Sequence, residues 1–268
     1  MAVLSRSPIA FALDFATVEE ARAAAAEVAP AVGMLKIGLE LFIHAGPPIV
    51  RMGSDLSLPV FLDLKLHDIP ETVERAVAQV AQLGARLVTV HASGGRKMLE
   101  RAVARAEKEG GTLDVCAVTI LTSLDDADLD DVGITVTRRL PAFRPTGEAH
   151  VVTPVPERSR ASLAAESLAR LAYEAGVRWF VCSPAEVGLL RRQLGPDVKL
   201  VTPGVRPANA ARGDQKRTAT PAQAIRDGAD WLVVGRPIRD AADRLAAALQ
   251  IAREADDARS ALAPQGDA

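Results

Sequence analysis

Residues 60–72 read VFLDLKLHDIPET. An apolar, β-branched run carries Asp63 and Lys65 at alternate positions, and Asp68 follows three residues after the lysine. In a strand alternate residues share a face, so Asp63 and Lys65 are expected to project together, about 7 Å apart along the chain. Asp68 falls where the strand gives way to a helix that opens near Pro70. A lysine between two carboxylates favours its ammonium form, which suits a general acid delivering a proton and makes Lys65 a poor Schiff-base nucleophile. A fixed negative charge next to a bound substrate carboxylate would disfavour the ground state and not a product carbanion. The alternative is an exposed ion pair, because burying such a cluster for stability alone is wasteful.

A second group suits phosphate. Thr202-Pro203-Gly204-Val205-Arg206 and Gly235-Arg236-Pro237 each follow an apolar strand-like run. Glycines permit close backbone approach, and an arginine fork can hold two phosphate oxygens at once. The competing reading is turn glycines beside solvated arginines. Among the histidines only His91 sits at a strand end, where a structural hydrogen bond is expected before metal ligation. No His/Glu metal cluster is evident, and no metal is expected.

Eight short, largely apolar runs position these groups: residues 9–13, 33–38, 59–66, 86–91, 113–121, 178–182, 198–202 and 231–234. Helical patterns lie between them, at 17–28, 39–52, 70–83, 96–108, 162–175, 184–193, 221–227 and 239–253. Strands apolar on both faces belong to parallel sheets covered by helices. Eight such units predict a (β/α)8 TIM barrel. An open doubly wound sheet is the alternative, but no GxGxxG follows the first strand. A barrel gathers its site at the C-terminal strand ends, and Asp14, Lys36, Asp63, Lys65, Asp68, His91, Thr122, Ser123, Arg206 and Arg236 recur there.

The chain has 268 residues and 28.3 kDa, consistent with one barrel domain over residues 1–256 and a frayed tail at 257–268. A formal charge of −2, a pI near 6.1 and 3% aromatic residues give no basis for nucleic-acid or membrane binding. Cys116 and Cys182 lie in apolar runs without CxxC spacing and read as buried free thiols of a reducing compartment. With no signal pattern and no membrane-length apolar run, the expected location is the cytoplasm. Residues 124–161 interrupt the alternation: an acidic patch, DDADLDD, precedes a Pro- and Arg-rich stretch, and a surface excursion, partly ordered at best, is expected.

FLDLKLHDIPET, VTVHASGG, ILTSL, VTPGVRP followed by GDQKR, and VVGRPI together resemble the signature segments of the orotidine 5′-phosphate decarboxylases, in the form of their common bacterial branch. The resemblance runs over about residues 9–239, and the segment around Lys65 is its most specific part. It implies cofactor-free loss of CO2 from orotidine 5′-monophosphate, giving UMP in pyrimidine synthesis. Lys65 would then protonate C6, Asp63 would press on the departing carboxylate and hold Lys65, and Lys36 would complete an alternating charge network. Asp14 and Lys36 match ribose contacts. The resemblance implies a homodimer with shared sites, so that Asp68, Ile69 and Thr72 would serve the substrate of the neighbouring subunit. Thr122 and Ser123 match the group that reads the pyrimidine. Pro203, Arg206, Gln215, Gly235 and Arg236 match the phosphate grip, with residues 213–217 as a loop closing over the substrate.

The sequence departs from that pattern in an excess at about residues 137–160, expected to pack on the outer rim or the dimer edge and to leave catalysis alone. Two rivals remain. Related sugar-phosphate decarboxylases and aldolases carry a similar Asp-x-Lys-x-x-Asp strand but use Mg2+ and enediolate chemistry; Thr122-Ser123 and the Gly-Asp-Gln loop speak against them. A non-catalytic phosphate-binding barrel leaves Asp63, Lys65 and Asp68 together unexplained.

Overall fold

The apolar runs form eight parallel strands in the computed structural model, which describes residues 7–134, 159–207 and 218–262. They are β1 (Ile9–Ala12), β2 (Met34–Gly38), β3 (Val60–Leu66), β4 (Leu87–His91), β5 (Asp114–Val118), β6 (Trp179–Val181), β7 (Lys199–Thr202) and β8 (Trp231–Val234). Strand order follows the sequence, and β8 pairs back onto β1, with Ile9 opposite Leu232. That pairing closes the sheet and removes the open-sheet alternative. The helices are α1 (Val18–Val28), α2 (Leu39–Ala45), α3 (Arg51–Asp55), α4 (Pro70–Gln82), α5 (Arg96–Lys108), α6 (Asp126–Asp131), α7 (Arg160–Glu174), α8 (Pro184–Leu194), α9 (Pro221–Arg226), α10 (Arg236–Arg239) and α11 (Arg244–Ser260). None of those described is long and apolar enough to cross a membrane.

Alternation along each strand sorts side chains into two cores. Phe11, Leu35, Leu62, Val88 and Phe180 face outward against the helices. Ala10, Met34, Phe61, Leu87, Cys116 and Val201 form a separate cluster made only of strand residues, the plug that fills the barrel. Two residues further along β2, β3 and β4, on the plug's face, stand Lys36, Asp63 and Thr89. The apolar plug is therefore the floor on which a polar layer rests.

Several boundaries differ from expectation for identifiable reasons. The helix expected over 39–52 is broken, because Gly46 adopts a left-handed φ of 68° and Pro47 and Pro48 lack amide donors, leaving a 3-10 turn at Pro47–Val50. The expected last helix is divided between α10 and α11, whose start is capped by the Asp243 carboxylate accepting from the Ala246 amide. That helix continues to Ser260, past the tail expected from residue 257, since Ala255 and Ala258 are buried along it. The acidic patch is not an irregular excursion: Asp125 and Asp128 form a capping box that starts α6. Ser159 caps α7, so Ser159 and Arg160 belong to that helix and not to the expected excess; residues 137–158 lie outside those described.

Candidate active site

Four side chains from three neighbouring strand ends form one row of alternating charge. Asp14, just past β1, lies 3.6 Å from the Lys36 Nζ on β2. Lys36 Nζ is 3.3 Å from Asp63 Oδ2, and Asp63 Oδ1 is 2.8 Å from Lys65 Nζ. The row runs from an exposed end at Asp14 to a buried centre, Asp63 being 8% exposed as a residue. Burial alone would push the Asp63 carboxyl up. The ammoniums of Lys36 and Lys65 and the hydrogen bonds from Lys65 and Thr89 outweigh it and hold the group below the usual carboxylate value.

Asp63 and Lys65 do not meet through regular pleating. Between Leu62 and Leu66, β3 advances four residues while its partner β4 advances two, from Val88 to Val90. Lys65 lies inside this bulge with a left-handed φ of 51°. Bulges re-aim side chains, and here the bulge turns the ammonium back onto Asp63. Asp68 does not complete the expected sandwich around Lys65. Its Oδ1 accepts from the Ile69 amide at 2.6 Å, and within this chain no ion pair among the described residues joins it to Lys65. Asp68, Ile69 and Thr72 all face solvent, Ile69 being 66% exposed.

The phosphate-type loops converge beside the row. A cavity of about 180 Å3 is lined by Asp14 and Lys36 on one side and by Pro203, Arg206, Gly235 and Arg236 on the other. Whole-ligand pockets begin near about 300 Å3, so this one suits one end of a nucleotide-sized molecule. After β7 the chain turns at Gly204, whose φ of 82° favours glycine, and is pinned where the Arg206 amide donates to the Ala219 carbonyl at 2.9 Å.

The other expected site residues fare differently. β5 ends at Val118, so Thr122 and Ser123 stand in a turn beyond the strand, closed by the Leu124 amide on the Leu121 carbonyl; neither lines the cavity. Gln215 and the loop at 213–217 lie outside the described residues. His91 ends β4 and stacks against His67, ring centroids 5.3 Å apart; burial, with His67 and Lys65 nearby and only Asp63 opposing, pushes its imidazole below the ordinary value. Cys116 and Cys182 are buried free thiols, and burial pushes both up. No group of three or more His, Cys, Asp or Glu among the described residues is arranged to hold a metal ion.

Sequence reasoning missed Thr89. Its fully buried Oγ1 donates to Asp63 Oδ1 at 3.1 Å and accepts from the Lys65 amide at 2.7 Å. The available signal was a hydroxyl within the apolar run LVTVH, two residues before His91 and so on its face.

Comparison with known proteins agrees with this geometry. The model of the "Orotidine 5'-phosphate decarboxylase / HUMPS family" matches residues 7–141 and 149–251, breaking off only inside the expected excess. The chain is 53% identical over 244 residues to an orotidine 5′-phosphate decarboxylase of Anaeromyxobacter sp. (strain K), covering 91% of this chain and 96% of that one. It is 47% identical to the Thermobifida fusca protein of the same name, covering 92% and 95%. The crystal structure of orotidine 5′-phosphate decarboxylase from Lactobacillus acidophilus superimposes with a TM-score of 0.75 at 32% identity, covering 93% of this chain and 99% of that one. A closed eight-strand barrel with its charged row on the matched segment, and identity of this order along nearly the whole chain, place this protein in the orotidine 5′-phosphate decarboxylase / HUMPS family.

Proposed function

We propose that this chain converts orotidine 5′-monophosphate to UMP and CO2 without a cofactor, as a step of pyrimidine synthesis, with Lys65 as the proton donor. The observation that carries the reading is the Asp14–Lys36–Asp63–Lys65 row running from an arginine-lined cavity to a buried carboxylate–ammonium pair. Arg206, Arg236 and Gly235 take the phosphate, and Asp14 and Lys36, which line the same cavity, take the ribose hydroxyls. The pyrimidine then extends toward Asp63 and Lys65, with Thr122 and Ser123 on its polar edge, and Gln215 is a further phosphate ligand of this reading. The bond from C6 to its carboxylate breaks, CO2 leaves, and the electron pair stays on C6. Lys65 gives C6 a proton and is recharged from water, which its partly exposed side chain can reach.

The partner in this reading is a second copy. Leu39, Ile43 and Ile69 are exposed large apolar residues just beyond the ends of β2 and β3, and Asp68 projects from the same edge. Covering that edge with its equivalent would bury the three and carry Asp68 and Thr72 toward the neighbour's substrate. Sedimentation at assay concentration distinguishes the cases, and a monomer with full activity refutes the shared site.

The deciding assay follows the fall in absorbance on adding orotidine 5′-monophosphate, with and without EDTA, for the wild type and Lys65→Ala. Removing a general acid costs about 10²- to 10⁴-fold, so the variant is expected to lose at least about 10²-fold in kcat. Equal activity of the two proteins, or no turnover by either, overturns the reading; loss of turnover on chelation transfers it to the Mg2+-dependent enediolate enzymes.

A further inference from the structure

Lys65 owes its position to a backbone conformation that a β-strand does not supply. Only it and Ser57 among the described non-glycine residues have positive φ, and Ser57 lies in a turn. Such conformations persist only where the surroundings over-determine them. Register is lost between Leu62 and Leu66, and the Lys65 amide donates to the Thr89 hydroxyl at 2.7 Å. That hydroxyl in turn donates to Asp63 Oδ1, the same oxygen that holds Lys65 Nζ at 2.8 Å. One buried group on β4 thus fixes the lysine twice, through its backbone and through the carboxylate that holds its ammonium.

We infer that Thr89 is a positioning residue for the reaction: its hydroxyl closes a ring, Lys65 amide to Thr89 to Asp63 to Lys65 ammonium, that keeps the bulge open and the ammonium aimed. The kinetic part of this inference rests on the decarboxylase reading; the geometric part does not. β-propensity alone would be served as well by valine, which matches threonine in size but lacks the hydroxyl and so leaves a partly buried amide without its acceptor.

The test compares Thr89→Val and Thr89→Ser with the wild type in steady-state kinetics and in amide hydrogen exchange resolved at Lys65. Misplacement by a fraction of an ångström to an ångström at a reacting group costs up to about 10²-fold, so Thr89→Val should lose about 10- to 100-fold in kcat. Its KM should stay within about 3-fold, because binding at the phosphate end is untouched. Thr89→Ser keeps the hydroxyl and should recover most of kcat. The Lys65 amide should be protected in the wild type and in Thr89→Ser and exchange at least about 10-fold faster in Thr89→Val. Unchanged kcat in Thr89→Val, a loss confined to KM, or an equal loss in Thr89→Ser overturns the inference. Should Thr89→Val fail to fold, Thr89→Cys, with a weak sulfhydryl in place of the hydroxyl, must show the same kcat-selective loss. A wild type without decarboxylase activity refutes the functional reading, and the exchange rate at Lys65 then decides the positioning claim by itself.

Discussion

Replacing Asp63 with asparagine removes one charge and almost no volume from the centre of the row. At an effective dielectric of about 20, a pair at 2.8 Å is worth about 6 kcal/mol and one at 3.3 Å about 5 kcal/mol in gross attraction. Desolvation of the carboxylate opposes most of this, and removing one partner of a buried pair costs about 3–5 kcal/mol in practice. Two features place Asp63→Asn at the low end. Lys36 keeps Asp14 at 3.6 Å, and the Lys65 side chain, 31% exposed, can turn its ammonium to water. The expected loss is about 3 kcal/mol, read by urea unfolding followed by circular dichroism.

The pH dependence sharpens the test. The Asp63 carboxyl is held below its ordinary value of 3.8, so the unfolded chain takes up this proton before the folded one as pH falls. The stabilisation is therefore complete above the ordinary value and is lost only as pH falls below it, toward the lowered folded value. The gap between wild type and Asp63→Asn should stay constant from about pH 8 to about pH 5 and narrow only below about pH 4. A gap under about 0.5 kcal/mol at neutral pH, or one that closes between about pH 7 and about pH 5, refutes the argument.

Two further outcomes are expected. A Cβ placed on Gly38 would lie 3.3 Å from Lys36 Nζ, a tight contact, and 3.5 Å from Asp14 Oδ1, an ordinary one, so Gly38→Ala should lower kcat/KM about 10-fold by displacing the Lys36 ammonium, with stability within about 1 kcal/mol of wild type; unchanged kcat/KM would show that the ammonium has room to spare. The start of α7 is fastened to α6: Arg160 donates to the Asp126 carbonyl at 2.8 Å and to Asp130 Oδ2 at 2.6 Å, and the Ala161 amide donates to the Asp126 carboxylate at 3.0 Å, so the fold has its own hold beside residues 137–158. Replacing residues 137–158 with a short Gly-Ser linker should leave fold and turnover intact, and lost turnover with an unchanged circular dichroism spectrum would assign the segment a part in catalysis.

What was legible in the sequence follows from which physical signals are local. Strand positions were legible because parallel strands are apolar on both faces, and Asp63 and Lys65 stood out against that background. The bulge was not legible, because the alternation of Asp63 and Lys65 looks the same whether or not β4 keeps register beside them. Thr89 was hidden because a threonine among valines satisfies β-propensity with or without a use for its hydroxyl. Thr119-Ile120-Leu121 extended the apparent fifth strand for the same reason, and so placed Thr122 and Ser123 at a strand end that lies earlier, at Val118. Asp68 was rightly placed beyond the strand, but charge and spacing did not show that its carboxylate would accept from the Ile69 amide, with no ion pair to Lys65 among the described residues of this chain.

The charges also divide the site into two regions. Asp14, Lys36, Asp63 and Lys65 are two carboxylates and two ammoniums, a formally neutral row, whereas the cavity beside it carries Arg206 and Arg236. On the decarboxylase reading a dianionic phosphate is drawn to one end, and the formally neutral row at the other end offers a second anion no net attraction. A carboxylate delivered there by the bound phosphate would face Asp63 across a short distance, with Lys65 already engaged by that same aspartate at 2.8 Å. On the dimer reading, the neighbour's Asp68 adds one more negative charge to the reacting end alone. On the decarboxylase reading, binding energy gathered at the arginines would place the substrate's second anion where it is least welcome, and release of that anion as neutral CO2 would relieve the conflict. The ring through Thr89 matters on this account because an aspartate free to rotate away would dissolve the conflict without any chemistry.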